Sequence, residues 1–226
     1  MIVTQKMSLF DMNKNRIIPL EIYVTNKPLN AKIHLKPPVI INHGYTIKNS
    51  EYTFIAKALA EEGYFVISIQ HDLDTDPTRI QTSSLYEWGK PAWDRGVTNI
   101  LYVIKKMKAK NPQLDFDQVI LIGHSYGGEM VMLFTHNYPE HVAKVISLDN
   151  LRMPLPQKDK VPILYLQAKD TRADPGVLPS LEQNRTNINL ISLNIRHMDM
   201  CDRGPQSVQD EINNHIIKFL NANSYP

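Results

Sequence analysis

The sequence predicts an α/β fold, with a mainly parallel, doubly wound sheet and an antiparallel hairpin at the amino terminus. The chain has 226 residues, 42% of them hydrophobic, which suits one core and a single domain over residues 1–226. Short apolar runs typical of buried strands alternate with segments of helical periodicity. That alternation is typical of parallel sheets with helices on both faces.

The first elements follow from changes in this pattern. Residues 3–10 and 17–24 alternate polar and apolar side chains around a turn-like stretch, as the two strands of a hairpin do. Residues 38–42 predict a short buried strand, and residues 50–62 a helix that stops at Gly63. Residues 64–69 predict the next strand.

The second half continues the alternation. A long helix is predicted to begin near Pro91 and to end at residues 111–112. The later elements are strand 118–122, helix 125–137 and strands 143–148, 161–166 and 189–195. A final helix closes the chain, and its side chains predicted to face inward are Val208, Ile212, Ile216 and Phe219. Asp210 and Glu211 are predicted to lie in its first turn, where the helix dipole favours acidic residues.

Charge and composition exclude several classes of protein. Lys and Arg number 25 against 23 acidic residues, without basic runs, so no nucleic-acid partner is expected. No apolar run approaches the roughly 18 residues of a membrane span, and the amino terminus lacks a signal-peptide core. The single cysteine, Cys201, excludes an internal disulfide, and the expected compartment is the cytoplasm. Composition specifies no oligomeric state.

One motif carries the chemistry. Strand 118–122 runs directly into Gly123-His124-Ser125-Tyr126-Gly127, and a helix-compatible segment follows. This is a Gly-x-Ser-x-Gly elbow in its required strand-turn-helix context. A Cβ at either glycine would collide with a neighbouring strand or helix, so the pattern predicts Ser125 as an exposed nucleophile.

A serine nucleophile needs a base and an acid that orients it. Asp170 and His197 lie just past the ends of strands 161–166 and 189–195, in the expected chain order. We therefore expect His197 as general base and Asp170 as its acid, with Asp174 and Asp149 as alternatives for the carboxylate. His124 is expected to pack beneath the elbow.

Two further sets of residues complete the expected site. The N–H groups of Tyr126 and Tyr45 are the expected oxyanion donors, with Gly44 as second choice for the latter. The stretch 71–90 predicts a long loop, and its Tyr86 and Trp88, together with Gly44, are the expected substrate-binding residues. Asp72, Asp74 and Asp76 beside His71 are more typical of turns than of a metal site, so no metal and no cofactor is expected.

These motifs resemble the α/β-hydrolase family over almost the whole chain. Within that family the sequence is similar to compact esterases related to dienelactone hydrolase and to platelet-activating-factor acetylhydrolase-like proteins. It departs from dienelactone hydrolase in having Ser125 where that enzyme has a cysteine. The segment 149–160, where related lipases carry a helical lid, is too short for one.

The resulting hypothesis is a serine hydrolase that cleaves a small-molecule carboxylic ester or thioester through an acyl-serine intermediate. The alternatives are an acyltransferase or peptidase with the same three residues, and a non-catalytic binding module of the same fold.

Overall fold

The computed structural model describes residues 1–26, 36–156, 161–179 and 187–222. Within these ranges eight strands form one sheet. The strands are β1 Ile2–Asp11, β2 Arg16–Thr25, β3 Val39–Asn42, β4 Val66–Ile69, β5 Val119–His124, β6 Val142–Leu148, β7 Ile163–Gln167 and β8 Ile188–Ser192. The helices are α1 Thr53–Glu61, α2 Leu85–Lys110, α3 Tyr126–Asn137 and α4 Gln206–Asn221.

The strand order is β1-β2-β4-β3-β5-β6-β7-β8. β1 pairs antiparallel with β2, and β2 antiparallel with β4, whereas every later pairing is parallel. The predicted fold class and the amino-terminal hairpin are thereby confirmed. The carboxyl ends of the parallel strands all meet at one edge of the sheet, where such folds place their sites.

The core lies on both faces of the sheet because side chains alternate along each strand. In β5, Val119 and Leu121 join the apolar cluster under α2 and α3, while Ile120 and Ile122 join the cluster under α1 and α4. All four side chains are buried. The central strands are therefore packed on both faces, as their near-continuous apolar sequence predicts.

Two helix starts differ from the sequence-based expectation. α2 begins at Leu85, because the Ser84 hydroxyl caps it by accepting the Glu87 N–H at 3.0 Å, and Pro91 lies inside the helix. The loop after β4 therefore ends at Ser84. α4 begins at Gln206 and has no acidic residue in its first turn.

None of the helices in the described ranges is long and apolar enough to cross a bilayer. His34, a histidine for which the sequence predicts a position on a helix surface or in a loop, lies outside the described residues.

Candidate active site

Ser125 lies at the junction of β5 and α3 in a strained backbone conformation. Its φ is 50° and its ψ is −117°, a region that a residue with a Cβ rarely adopts. The turn is held at both ends: Ser125 N–H donates to the carbonyl of Leu148 at 2.9 Å, and Ser125 C=O accepts from Glu129 N–H at 3.0 Å. Strain of this kind persists where the surroundings enforce it, and it is concentrated at functional sites.

The glycines of the elbow are required by close approach of backbones. A Cβ on Gly123 would lie 2.3 Å from the carbonyl oxygen of Gly127, and a Cβ on Gly127 would lie 2.1 Å from that of Asn42. Neither backbone can move without opening β3 or α3. The two glycines thus allow the sharp turn that presents Ser125.

His197 begins a 3-10 turn, His197–Asp199, in the segment after β8. Its Nδ1–H donates to Asp149 Oδ2 at 2.6 Å. The Asp149 carboxylate is fully buried and accepts two further hydrogen bonds, from Ala168 N–H at 3.1 Å and from the Thr171 hydroxyl. Because Nδ1 carries the proton, Nε2 keeps the lone pair that a general base needs.

The His197 ring therefore bonds to Asp149, whereas the sequence predicted Asp170 as its partner. Asp170 is exposed, and its Oδ1 accepts the backbone N–H of His197 at 2.7 Å instead of meeting the ring. Asp174 is also exposed, and its N–H donates to Leu151 C=O. The physical reason is that Asp149 directly follows β6 and turns inward with a φ of 60°, beneath the His197 ring. Asp170 is thus corrected from ring partner to backbone partner.

His124 lies beneath the elbow, as expected, in a chain of hydrogen bonds. Gly44 N–H donates to the Tyr52 hydroxyl at 2.9 Å, and that hydroxyl donates to His124 Nδ1 at 2.8 Å. His124 Nε2–H donates to the carbonyl of His197 at 3.1 Å. Burial lowers the pKa of His124 to about 3, with a smaller effect from the neighbouring His197, so this ring is neutral. It supports the loop that carries His197.

The hydrogen bond from Gly44 N–H to Tyr52 also bears on which backbone N–H groups can donate to the oxyanion. Since Gly44 N–H already donates to Tyr52, Tyr45 N–H is the better candidate of the two. Tyr126 begins α3, where backbone N–H groups have no partner within the helix. The Tyr45 ring lies 6.0 Å from the Tyr126 ring, and both residues line the same cavity as Ser125.

Ser125 and His197 line one cavity of about 360 Å³. The other lining residues are Tyr45, Leu85, Trp88, Trp93, Tyr126, Glu129, Leu151 and Arg152. The expected substrate residue Trp88 is among them, whereas Gly44 and Tyr86 are not; Tyr86 packs its ring against Trp93 at 5.4 Å. A second cavity, of about 700 Å³, lies between the hairpin turn and α2 and contains none of the expected catalytic residues.

Arg79 organises the aromatic wall of the smaller cavity. Its guanidinium lies 4.5 to 4.8 Å from the ring centres of Tyr45, Trp88 and Tyr126, and it donates to the Tyr126 hydroxyl at 2.6 Å. An ion pair with Asp72 at 2.9 Å holds the arginine in place. Arg79 was not among the site residues expected from the sequence. Nothing in the sequence of a long loop indicates which aromatic rings an arginine in it will contact.

Glu129 anchors the loop that follows β6. Its buried carboxylate accepts the N–H groups of Leu151 at 2.8 Å and Arg152 at 2.9 Å, and also that of Met153. Burial raises the pKa of Glu129 to about 7 in spite of these donors. By accepting these N–H groups, Glu129 holds in place the segment that carries Asp149 and Arg152. Sequence reasoning missed this role too.

Two of the three acids near His71, Asp72 and Asp76, belong to ion pairs. Asp72 pairs with Arg79 and Arg95, and Asp76 pairs with Arg16 and Arg95. Within the described parts of the chain, no group of three His, Cys, Asp or Glu side chains is placed to hold a metal ion. These carboxylates therefore fasten the long loop to the hairpin and to α2.

Comparison with known proteins identifies the family. A family model described as "Serine aminopeptidase, S33" matches residues 34–220. No curated protein matches the sequence.

Many solved structures share the fold at low sequence identity. A ferulic acid esterase from Streptomyces cinnamoneus is 15% identical, with a TM-score of 0.71, over 97% of this chain and 89% of that one. A dienelactone hydrolase-like promiscuous phosphotriesterase from metagenomic libraries is 12% identical, with a TM-score of 0.66, over 97% of each chain. An a/b serine hydrolase without lid from Xanthomonas campestris is 15% identical, with a TM-score of 0.58, over 98% and 97%.

The family match covers most of the chain, and the mixed sheet with its serine at the strand-to-helix elbow agrees with it. This protein therefore belongs to the α/β-hydrolase family.

Proposed function

We propose that the protein is a serine hydrolase that cleaves a small carboxylic ester or thioester through an acyl-Ser125 intermediate. The observation that carries the proposal is the His197 imidazole, bonded through Nδ1 to buried Asp149 at 2.6 Å and lining the same cavity as the strained Ser125. In this proposal Asp149, and not Asp170, is the acid of the triad.

The first half of the reaction acylates the serine. Ser125 Oγ attacks the carbonyl carbon of the substrate while His197 Nε2 takes the hydroxyl proton. Asp149 keeps the proton on Nδ1 and stabilises the imidazolium that forms. The imidazolium then gives its proton to the departing alcohol or thiol as the bond to the carbonyl carbon breaks.

The second half releases the acid. Water attacks the acyl-serine as His197 takes one of its protons, and Ser125 leaves with that proton restored to its oxygen. In both halves the oxyanion would be held by the N–H groups of Tyr126 and Tyr45. Two such donors stabilise the negative charge that develops on the carbonyl oxygen in the transition state.

A peptidase with the same triad is the main alternative, in view of the name of the matching family. An aminopeptidase must bind a protonated α-amino group, which calls for an unoccupied acidic side chain near the nucleophile. The acid of this cavity, Glu129, already accepts backbone N–H groups, and the cavity also contains the cationic Arg152. The charge of the cavity thus favours an ester over an aminopeptidase substrate.

Labelling with a fluorophosphonate probe tests the nucleophile. In the wild type, Ser125 Oγ is expected to bond to phosphorus with loss of fluoride, and mass spectrometry should find the adduct on the peptide that contains Ser125. Ser125→Ala should abolish both the label and the hydrolysis of 4-nitrophenyl esters. Labelling that persists in Ser125→Ala would contradict the proposal.

Product analysis separates hydrolysis from acyl transfer and from binding without catalysis. With an alcohol or amine acceptor added, a hydrolase should still release mainly the free acid, whereas an acyltransferase would form the transfer product. A binding module would hydrolyse no ester, although a ligand could still raise its thermal stability. Either result would overturn the proposal.

A further inference from the structure

Two residues that line the cavity beside Ser125 carry buried hydrogen-bond donors that have no partner among the described residues. Trp93 is 2% exposed, and its indole N–H is buried without an acceptor. The Nε–H of Arg152 is likewise buried and unpaired. Both residues line the cavity that also holds Ser125 and His197. Two residues that line one small cavity thus carry buried donors that lack an acceptor in the described residues.

Leaving such donors unpaired is costly, which is why native proteins rarely do so. A buried donor without an acceptor gives up its hydrogen bonds to water and gains none in return, and this loss is larger where the group is charged. Each unpaired donor in a native structure therefore calls for an explanation. For two residues that line a cavity next to a nucleophile, a bound ligand that brings the acceptor supplies such an explanation.

The charge of Arg152 is also uncompensated at close range. No ion pair or hydrogen bond joins the Arg152 guanidinium to any other residue in the described ranges. The nearest acid in the lining, Glu129, uses its oxygens on the N–H groups of residues 151, 152 and 153 and on the Asn150 amide. That clamp holds the Arg152 backbone while its guanidinium stays available.

We propose that Arg152 and the indole N–H of Trp93 form a binding subsite for a carboxylate carried by the ester substrate. Arginine suits this role because its planar fork matches the two oxygens of a carboxylate, and a neutral N–H donor can share one of them. The substrate class is thus a half-ester of a small dicarboxylic acid, in keeping with a cavity of about 360 Å³. This inference rests on the proposed function and deepens it.

A pair of substrates tests the subsite directly. 4-Nitrophenyl hydrogen glutarate carries a terminal carboxylate, and 4-nitrophenyl methyl glutarate is the same molecule with that charge masked as its methyl ester. The wild type should show a higher kcat/KM for 4-nitrophenyl release from the charged ester. Arg152→Gln should lower the ratio of the two values by about 30-fold, since hydrogen bonds to charged groups contribute about 1.5–3 kcal/mol. The loss should lie mainly in KM.

Matched variants distinguish the subsite from general electrostatics. Arg172→Gln removes an exposed arginine from the neighbouring loop and should leave the ratio at its wild-type value. Trp93→Phe keeps an aromatic ring but removes the N–H, so the ratio should fall by several fold. A ratio that is unchanged in Arg152→Gln, or that falls equally in Arg172→Gln, would overturn the inference.

A binding measurement separates this inference from the proposed function. Glutarate should raise the thermal unfolding temperature of Ser125→Ala, and Arg152→Gln placed in the same background should abolish that shift. Stabilisation without turnover of any ester by the wild type would retain the subsite and reject the hydrolase. Turnover without stabilisation, and with an unchanged ratio, would retain the hydrolase and reject the subsite.

Discussion

Asp149 and Asp170 show how one hydrogen bond assigns a residue its chemistry. Both carboxylates meet His197, but Asp149 bonds the ring nitrogen and Asp170 bonds the backbone N–H. Asp149 is fully buried, whereas Asp170 is exposed to solvent. Only the buried, ring-bonded carboxylate can select the tautomer and stabilise an imidazolium strongly, because water does not screen it.

The two aspartates form a matched pair for mutagenesis. Asp149→Asn should lower kcat for 4-nitrophenyl acetate by about 10³–10⁴-fold, because the amide stabilises the wrong tautomer of His197. Asp170→Asn keeps an oxygen that can accept the backbone N–H and should change kcat by no more than a few fold. Steady-state kinetics of both variants measures the difference. Equal losses in the two would reject the assignment of Asp149.

At the scale of elements, the site depends on how closely α3 approaches the sheet. The α3 backbone at Gly127 lies so near the end of β3 that a methyl group does not fit between them. The Gly-x-Ser-x-Gly motif therefore sets the distance between a helix and a strand as well as the turn itself.

Gly127→Ala tests this close approach. Its Cβ would lie 2.1 Å from the Asn42 carbonyl oxygen, so we expect a loss of about 3 kcal/mol or more in the free energy of unfolding. Gly176→Ala is the control, since Gly176 has a φ of 86° but no atom within 4 Å of the added methyl group. That change should cost about 1 kcal/mol from backbone strain alone. Urea denaturation compares the two, and similar losses would contradict the collision argument.

At the scale of the whole molecule, three buried histidines form hydrogen bonds between the segments that carry the site. They are His43, His71 and His124. His43 Nε2 accepts the backbone N–H of His71 at 2.8 Å, His71 Nδ1 accepts the Asn99 amide at 3.4 Å, and His124 accepts the Tyr52 hydroxyl. Each ring uses its unprotonated nitrogen as an acceptor. A second proton would break that bond and place a charge in the core. Burial accordingly lowers the pKa of all three.

The stability of the protein should therefore fall in mild acid. A histidine whose pKa is lower in the folded state stabilises the fold fully above the unfolded value of 6.5, and that contribution is lost as the pH falls towards the folded value. With a folded pKa of about 3, His124 alone should account for about 2 kcal/mol between pH 7.5 and pH 5.0. His43 and His71 act in the same direction. Glu129 opposes them, because its raised pKa of about 7 favours the fold as it takes up a proton.

Urea denaturation at pH 7.5 and pH 5.0 measures the net effect, which should be a loss of stability at the lower pH because three histidines outweigh one glutamate. His124→Gln should reduce the difference between the two pH values by about 2 kcal/mol. The exposed His136, changed to glutamine, should leave the difference as in the wild type. A wild type equally stable at both pH values would contradict this account.

Much of the architecture follows from local patterns in the sequence. The hairpin, the parallel sheet and the elbow at Ser125 were predictable because alternation, helical periodicity and close glycine spacing are properties of neighbouring residues. Helix starts were less predictable. α2 begins at the Ser84 cap because one hydroxyl reaches the Glu87 N–H, which outweighs the signal of Pro91, seven residues after Ser84.

The sequence by itself determined the family, the nucleophile's setting and the chain order of candidate groups. Only the tertiary structure decided that Asp149 faces the His197 ring, that Gly44 N–H is occupied by Tyr52, and that Arg152 and Trp93, whose buried donors have no partner in the described residues, line the cavity beside Ser125. The reason is physical. Strand-end position brings residues to one edge of the sheet, but which side chain turns inward depends on the backbone angles and hydrogen bonds of loops that are distant in sequence.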